Sequence, residues 1–148
     1  MQHTSEDGLM LIKHFEGFSD TPYLCPAGYQ TIGYGHRIRK RENYPDAITD
    51  AEATVLLLQD IKLAEQCLHA HVPVELSDYQ FSALVSFIYN IGTAAFLRST
   101  LYTYVTQEQH DAVPTELCRW VWAKGKKLPG LIRRREAEAQ LYQGIPFC

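Results

Sequence analysis

At 148 residues, 46% hydrophobic and 21% charged, the chain is long enough for one domain with a buried core and has the balance of an ordinary globular protein. A net charge of −3 gives it no general attraction for polyanions, and no stretch approaches the ~20 apolar residues of a bilayer span. The opening MQHTSEDGLMLIKH lacks the basic region and apolar core of a signal peptide, and Cys25, Cys67, Cys118 and Cys148 show no CxxC spacing. Free thiols in a reducing cytosol are expected, with a disulfide between two of them left open by sequence.

Ser5 is placed to cap a first helix, with Glu6 and Asp7 at the positive end of its dipole. Leu9, Leu11, Ile12 and Phe15 supply its apolar side until Gly17 ends it, leaving Glu16 at the terminus. Thr21 to Cys25, a Pro26-Ala27-Gly28 turn and Tyr29 to Tyr34 then read as a β-hairpin, with Pro and Gly at the second and fourth positions of a type I turn. Alternation turns Tyr23, Cys25 and, across from them, Thr31 to one side. A charged connection, Arg37 to Asp46, comes next. Thr49-Asp50-Ala51-Glu52 is a capping box; the helix it opens carries Leu57, Ile61, Ala64 and Leu68 and is expected to run to His71. A second box, Ser77 with Gln80, opens a helix whose broad apolar face, Phe81, Leu84, Val85 and Ile88, predicts central burial. Gly92 ends it, Phe96 and Leu97 belong to a short helix, and Ser99-Thr100 caps another containing Leu101, Tyr104 and Val105. Pro114 suits the first turn of TELCRWVWA, Gly125 and Pro129-Gly130 punctuate the segment after it, and a last helix runs from Leu131 to Tyr142. The fold class is therefore α+β with helices dominant: one short hairpin or small sheet and about seven helices. The expected organisation is one domain: a β-containing lobe over residues 17–48, a long connecting helix over 49–71, and a helical lobe over 72–148 joined by the N-terminal helix.

Cleavage of a glycosidic acetal needs a protonated carboxyl for the leaving oxygen and a second group on the other face of the sugar. Glu16, Cys25 and Thr31 stand nine and then six positions apart, with the run TIGYGH starting at Thr31. This stretch resembles the active-site region of phage-type lysozymes, the endolysin muramidases of glycoside hydrolase family 24, whose motif is Glu, eight residues, Asp or Cys, five residues, Thr. QFSALVSFIYNIGTAAFLRSTL and WAKGKKLPGLIRRREAEAQLY resemble two further signatures of that family, so the resemblance covers nearly the whole chain. It implies a lysozyme-like fold, Glu16 as general acid, Cys25 as the second catalytic position and Thr31 as the residue that places the water. It also implies sugar contacts at Arg37, Tyr89, Asn90 and Ser99. An arginine approaching the acid would be Arg133, with Arg134 competing by register. No metal or organic cofactor is implied. The implied activity is hydrolysis of the β-1,4 bond between N-acetylmuramic acid and N-acetylglucosamine in peptidoglycan. A lytic transglycosylase and a catalytically silent peptidoglycan-binding module are the alternatives. A monomer held in the host cytoplasm, with no membrane span, would reach the wall through a holin-type lesion.

Three roles stand open for Cys25: base for the water, nucleophile, or space-filler beside a water held by Thr31; water activation is preferred. A thiol, ordinarily near pKa 8.5, is a poorer base than Asp unless its ionisation is eased. Asp20 is the competing carboxylate. His36 is expected to be a structural hydrogen-bonding or ion-pairing group. His69 and His71, two positions apart on a helix, do not make a metal pair, and Gly33 and Gly35 do not make a phosphate loop. Arg119, Lys124, Lys126, Lys127, Arg133, Arg134 and Arg135 succeed one another without an intervening acid. That strip reads either as a surface for a polyanion or as a solvated face with local pairs such as Arg134–Glu138; no DNA-reading motif accompanies it, and no nucleic-acid partner is expected.

Overall fold

A computed structural model describes residues 1–148 and divides them into two units, residues 16–62 and residues 1–15 with 63–148. In the first unit, β1 (Ser19–Leu24), β2 (Gln30–Gly33) and β3 (His36–Arg37) form an antiparallel sheet in that order, with α2 (Asp50–Asp60) after it in the chain. The expected hairpin gains a third strand. Its turn forms as the sequence directs: the Gly28 amide donates to the Cys25 carbonyl at 2.8 Å, and the Cys25 amide to the Tyr29 carbonyl at 2.9 Å. Gly28, at φ +87°, takes the left-handed position that succeeds a type I turn in a three-residue hairpin loop. Ile32, Ile48 and Ala53 make this unit's core, with Tyr34, Ile38, Tyr44 and Leu56 packed around it.

His36 is 4% exposed and closes the same unit from the polar side. Its Nδ1 lies 2.8 Å from Asp60 Oδ2 and its Nε2 3.0 Å from Glu42 Oε2. Each ring nitrogen thus faces a carboxylate, one at the end of α2 and one in the loop between β3 and α2. Burial works against the Glu42 carboxylate, yet the Arg39 amide, the Tyr44 hydroxyl and His36 outweigh it and hold that carboxyl below its usual range. The structural role expected of His36 is the one observed.

The helical unit comprises most of α1 (Glu6–Glu16), then α3 (Lys62–His71), α4 (Asp78–Ile91), α5 (Thr93–Leu97), α6 (Thr100–Thr106), α7 (Val113–Leu117) and α8 (Pro129–Tyr142). A two-stranded ribbon, β4 (Trp122–Ala123) with β5 (Lys126–Lys127), sits between α7 and α8. Both capping boxes form in full, and α4 buries eight consecutive residues, Phe81 to Ile88, as its broad apolar face requires.

Three expectations are corrected. The helix expected over 49–71 is two, α2 and α3, divided at Ile61, where ψ of −10° tightens the turn away from α geometry. The segment opened by Pro114 stays helical only to Leu117, and the chain then leaves for the ribbon. The chain therefore carries eight α-helices, and a second hairpin that its pattern did not announce.

Gly8 explains how α1 packs. A Cβ on it would lie 2.6 Å from Ser82 Cβ and 2.8 Å from Thr4 Cγ2, so α1 meets α4 with nothing between their backbones but the Ser82 side chain. Alanine normally favours a helix interior over glycine by about 1 kcal/mol. Here the sign reverses: Gly8→Ala is expected to lower stability by about 1–3 kcal/mol, the range for overpacking. Urea denaturation of the two proteins measures it.

Candidate active site

All three positions nominated for chemistry lie in the unit spanning residues 16–62. Glu16 is the last residue of α1, half-buried, and Gly17 (φ +74°) stops the helix behind it. Cys25 is the first residue of the hairpin turn and is partly exposed. Thr31, 4% exposed, pairs with Tyr23 on one side and Arg37 on the other. Directly paired residues share a face of a sheet, as do residues two apart on a strand. Tyr23, Thr31 and Arg37 thus form one row across the sheet, with Tyr29 alongside on the same face and Cys25 continuing Tyr23's side into the turn.

The turn shapes the chemistry of the thiol. The backbone amide of Tyr29 is the foremost donor to the Cys25 sulfur; burial opposes it, and the amides of Ala27 and Gly28 and the Thr31 hydroxyl add to it. The result is a thiol held below its ordinary pKa by a small nest of N–H groups. Cys67 and Cys118 move the other way, pushed up by burial. Thr31 has one hydroxyl proton. Given to the Tyr29 carbonyl at 2.9 Å, it leaves the oxygen's lone pairs for a water; turned to Cys25, it stabilises the thiolate.

Strand alternation makes Tyr23 a neighbour of this cluster, and the structure adds a role that the pattern does not suggest. Burial raises the pKa of its phenol, and the negative charges of Glu16 and Cys25 raise it further, so it stays a neutral hydroxyl between the carboxyl and the thiol. Asp20, the competing carboxylate, is exposed on β1 where the strand register is irregular, and its carbonyl accepts from the Ile48 amide at 2.9 Å.

Arg37 projects from β3 with its guanidinium carbon 3.5 Å from the centroid of the Tyr29 ring, a stacked and exposed pair. Tyr89, Asn90, Ser99 and Arg133 belong to the helical unit. Ser99 is the N-cap of α6: its hydroxyl accepts from the Tyr102 amide at 3.1 Å and donates to the Phe96 carbonyl at 2.6 Å, which uses its proton and engages its oxygen. Tyr89 is half-buried, and the Asn90 side-chain oxygen accepts from Arg135.

The basic strip is not one surface. Arg133 is exposed, whereas Arg134 and Arg135 are 4% and 1% exposed, so the solvated Arg134–Glu138 pair expected from sequence is instead an interior one. Glu138, fully buried, accepts from Arg135 Nη1 at 2.6 Å, Arg134 Nε at 3.3 Å and the Ser86 hydroxyl at 2.5 Å. Arg135 Nε donates to the Trp120 carbonyl at 2.9 Å, and its guanidinium lies over Phe87, 4.8 Å from the ring centroid. Arg134 also reaches the Ser86 carbonyl at 3.2 Å. A faint signal for this network is present in the chain: Ser86 lies within the apolar stretch of α4, and a buried hydroxyl requires a partner.

A family model for phage lysozyme matches residues 13–138. The chain belongs to the phage lysozyme family. The endolysin of Acyrthosiphon pisum secondary endosymbiont phage 1 is 39% identical over 145 residues, covering 95% of this chain and 98% of the relative. The muramidase domain of SpmX from Asticaccaulis excentricus superposes with a TM-score of 0.86 at 32% identity, covering 96% of this chain and 98% of that one. For the active form of the P1 phage endolysin the TM-score is 0.83 at 28% identity, over 95% and 85% of the two chains. This member of the phage lysozyme family is accordingly a helix-dominated α+β protein and a lysozyme-type glycoside hydrolase.

Two outcomes test the cluster. Carboxamidomethylation and subsequent peptide mass spectrometry should show Cys25 modified ahead of Cys67 and Cys118, with a pH–rate midpoint below the ordinary thiol value of about 8.5. A Cys25 that reacts more slowly than Cys118 contradicts the amide nest. Tyr23→Phe, which keeps the ring and removes only the hydroxyl, should reduce the rate of wall lysis several-fold while leaving the melting temperature unchanged.

Proposed function

We propose that this phage lysozyme is an endolysin muramidase that hydrolyses the β-1,4 bond between N-acetylmuramic acid and N-acetylglucosamine. The observation that carries the reading is the grouping of a half-buried carboxyl, a thiol held in a nest of amides and a buried threonine hydroxyl within one small unit. The muramidase domain among its structural relatives supports the choice of substrate.

Glu16 delivers its proton to the bridging oxygen as the bond to the anomeric carbon breaks. A water placed by the Thr31 hydroxyl attacks that carbon, and its proton passes to the Cys25 sulfur. Solvent then moves the proton from the thiol back to the Glu16 carboxylate. Arg37, Tyr89, Asn90 and Ser99 contact the sugars, Ser99 through the second lone pair of its hydroxyl oxygen, and the arginine that approaches the acid is Arg133 or Arg134. Of the two, burial and fixed hydrogen bonds make Arg134 the more constrained. No cofactor takes part. The enzyme acts as a monomer on the bacterial wall, reaching it from the host cytoplasm through a holin-type lesion; no helix of the structure is long and apolar enough to cross a membrane itself.

Glu16→Gln should fold as the parent does and lose wall lysis by a factor of roughly 10²–10⁴, the usual contribution of a general acid. Cys25→Asp should retain lysis, and Cys25→Ala should lose most of it. Turbidity of permeabilised cells reports on all three, and near-parental rates in the Gln variant would refute the assignment. Mass spectrometry of the digest completes the test: hydrolysis leaves new reducing ends, whereas transglycosylation leaves anhydro sugars.

A further inference from the structure

The β4–β5 ribbon lies outside the catalytic reading. It is closed by two residues, Lys124 at φ 51° and Gly125 at φ 77°, the paired left-handed conformation of a type I′ turn. Asparagine, aspartate or glycine is the usual first residue there, and a long side chain with a Cβ is sterically disfavoured. Lys124, Lys126 and Lys127 are all exposed. Trp122 is 59% exposed, and cross-strand pairing places it beside Lys127, whose ammonium lies 5.3 Å from the indole centroid.

The charge of the chain is divided to match. Residues 117–138 hold seven cations against two carboxylates, a net +5, while the remainder holds seven against fifteen, a net −8. Two of the seven, Arg134 and Arg135, are buried with Glu138, and the other five, Arg119, Lys124, Lys126, Lys127 and Arg133, are exposed. The ribbon therefore stands in a positive local field on a chain that is negative elsewhere. A large exposed indole amid lysines fits a ligand that is both anionic and rich in flat apolar faces.

We propose that the Trp122–Lys127 ribbon is an accessory docking surface for the wall polymer, its lysines meeting free carboxylates of the peptide stems and Trp122 lying against a sugar ring. The assignment rests on the muramidase reading of the substrate. A glycopeptide with spaced carboxylates suits it better than a nucleic acid, whose dense and continuous charge would also meet the negative remainder of the chain.

The test is co-sedimentation of the Glu16→Gln protein with purified sacculi, which requires no turnover. Binding should weaken as salt rises from about 50 to 200 mM, since exposed charges are screened on that scale. The triple change Lys124→Gln/Lys126→Gln/Lys127→Gln should weaken it about tenfold, and Trp122→Ala several-fold, with the thermal melt of each variant unchanged. Sacculi whose carboxylates have been amidated should be held no better than the triple variant holds native ones. Parental affinity in the triple variant, undiminished binding to amidated sacculi, or tighter binding to duplex DNA than to sacculi would each overturn the proposal. Sacculi bound through the ribbon yet left uncut by the parent enzyme would count against the activity alone.

Discussion

One antiparallel register governs the unit of residues 16–62: Tyr23 opposite Thr31, with Arg37 on Thr31's other side. A slip of one residue would turn every side chain of the strand to the opposite face. Thr31 would then lie on the far side of the sheet from Cys25, and Ile32 would leave the core that holds the sheet to α2. The register is secured at both ends. At one, the type I turn and its glycine fix the hairpin loop; at the other, His36 joins β3 to α2 and to the loop between them through two carboxylates. The same turn aims its amides at the sulfur, so the feature that sets the strand pairing also eases ionisation of the thiol.

The helical unit is organised by a different constraint. Its central helix, α4, is buried on all sides for more than two turns, and α8 packs on it while bringing two arginines and a glutamate into the interior. Such charges persist in a core only when paired and hydrogen-bonded, and Ser86, Asn90 and the Trp120 carbonyl supply further partners. A network of this kind adds little net stability compared with apolar packing. It does fix how α8 is rotated, because the guanidinium groups meet their acceptors in only one orientation.

Much of this is legible in the chain. The two capping boxes, the broad apolar face of α4, the turn at Pro26-Ala27-Gly28 and the stop at Gly17 are local codes, and each forms in the structure. What escapes is short or tertiary. Strands of two residues cannot display alternation, and Lys124-Gly125 lacks the asparagine or aspartate that marks a type I′ turn, so the second hairpin has no visible signature. Arg134, Arg135 and Glu138 have the spacing of a solvated pair, and only the packing of α8 on α4 places them inside. Ser99 shows the reverse: its capping role is plain in the local sequence, and the geometry shows the cap formed. The roles proposed for Glu16, Cys25 and Thr31 come from a motif, and the sheet supplies the physical reason that such spacing brings Cys25 and Thr31 together.

The first residues of a domain are ordinarily its loosest. Here the Gln2 side chain donates to the Leu76 carbonyl, Thr4 donates twice to Glu65, the Ser5 amide donates to Ser82, and Gly8 lets α1 close against α4. The opening turn of α1 is thereby tied to α3 and α4 by tertiary hydrogen bonds, so loosening this chain end means breaking contacts more than sixty residues away in sequence, not merely unwinding a helix tip.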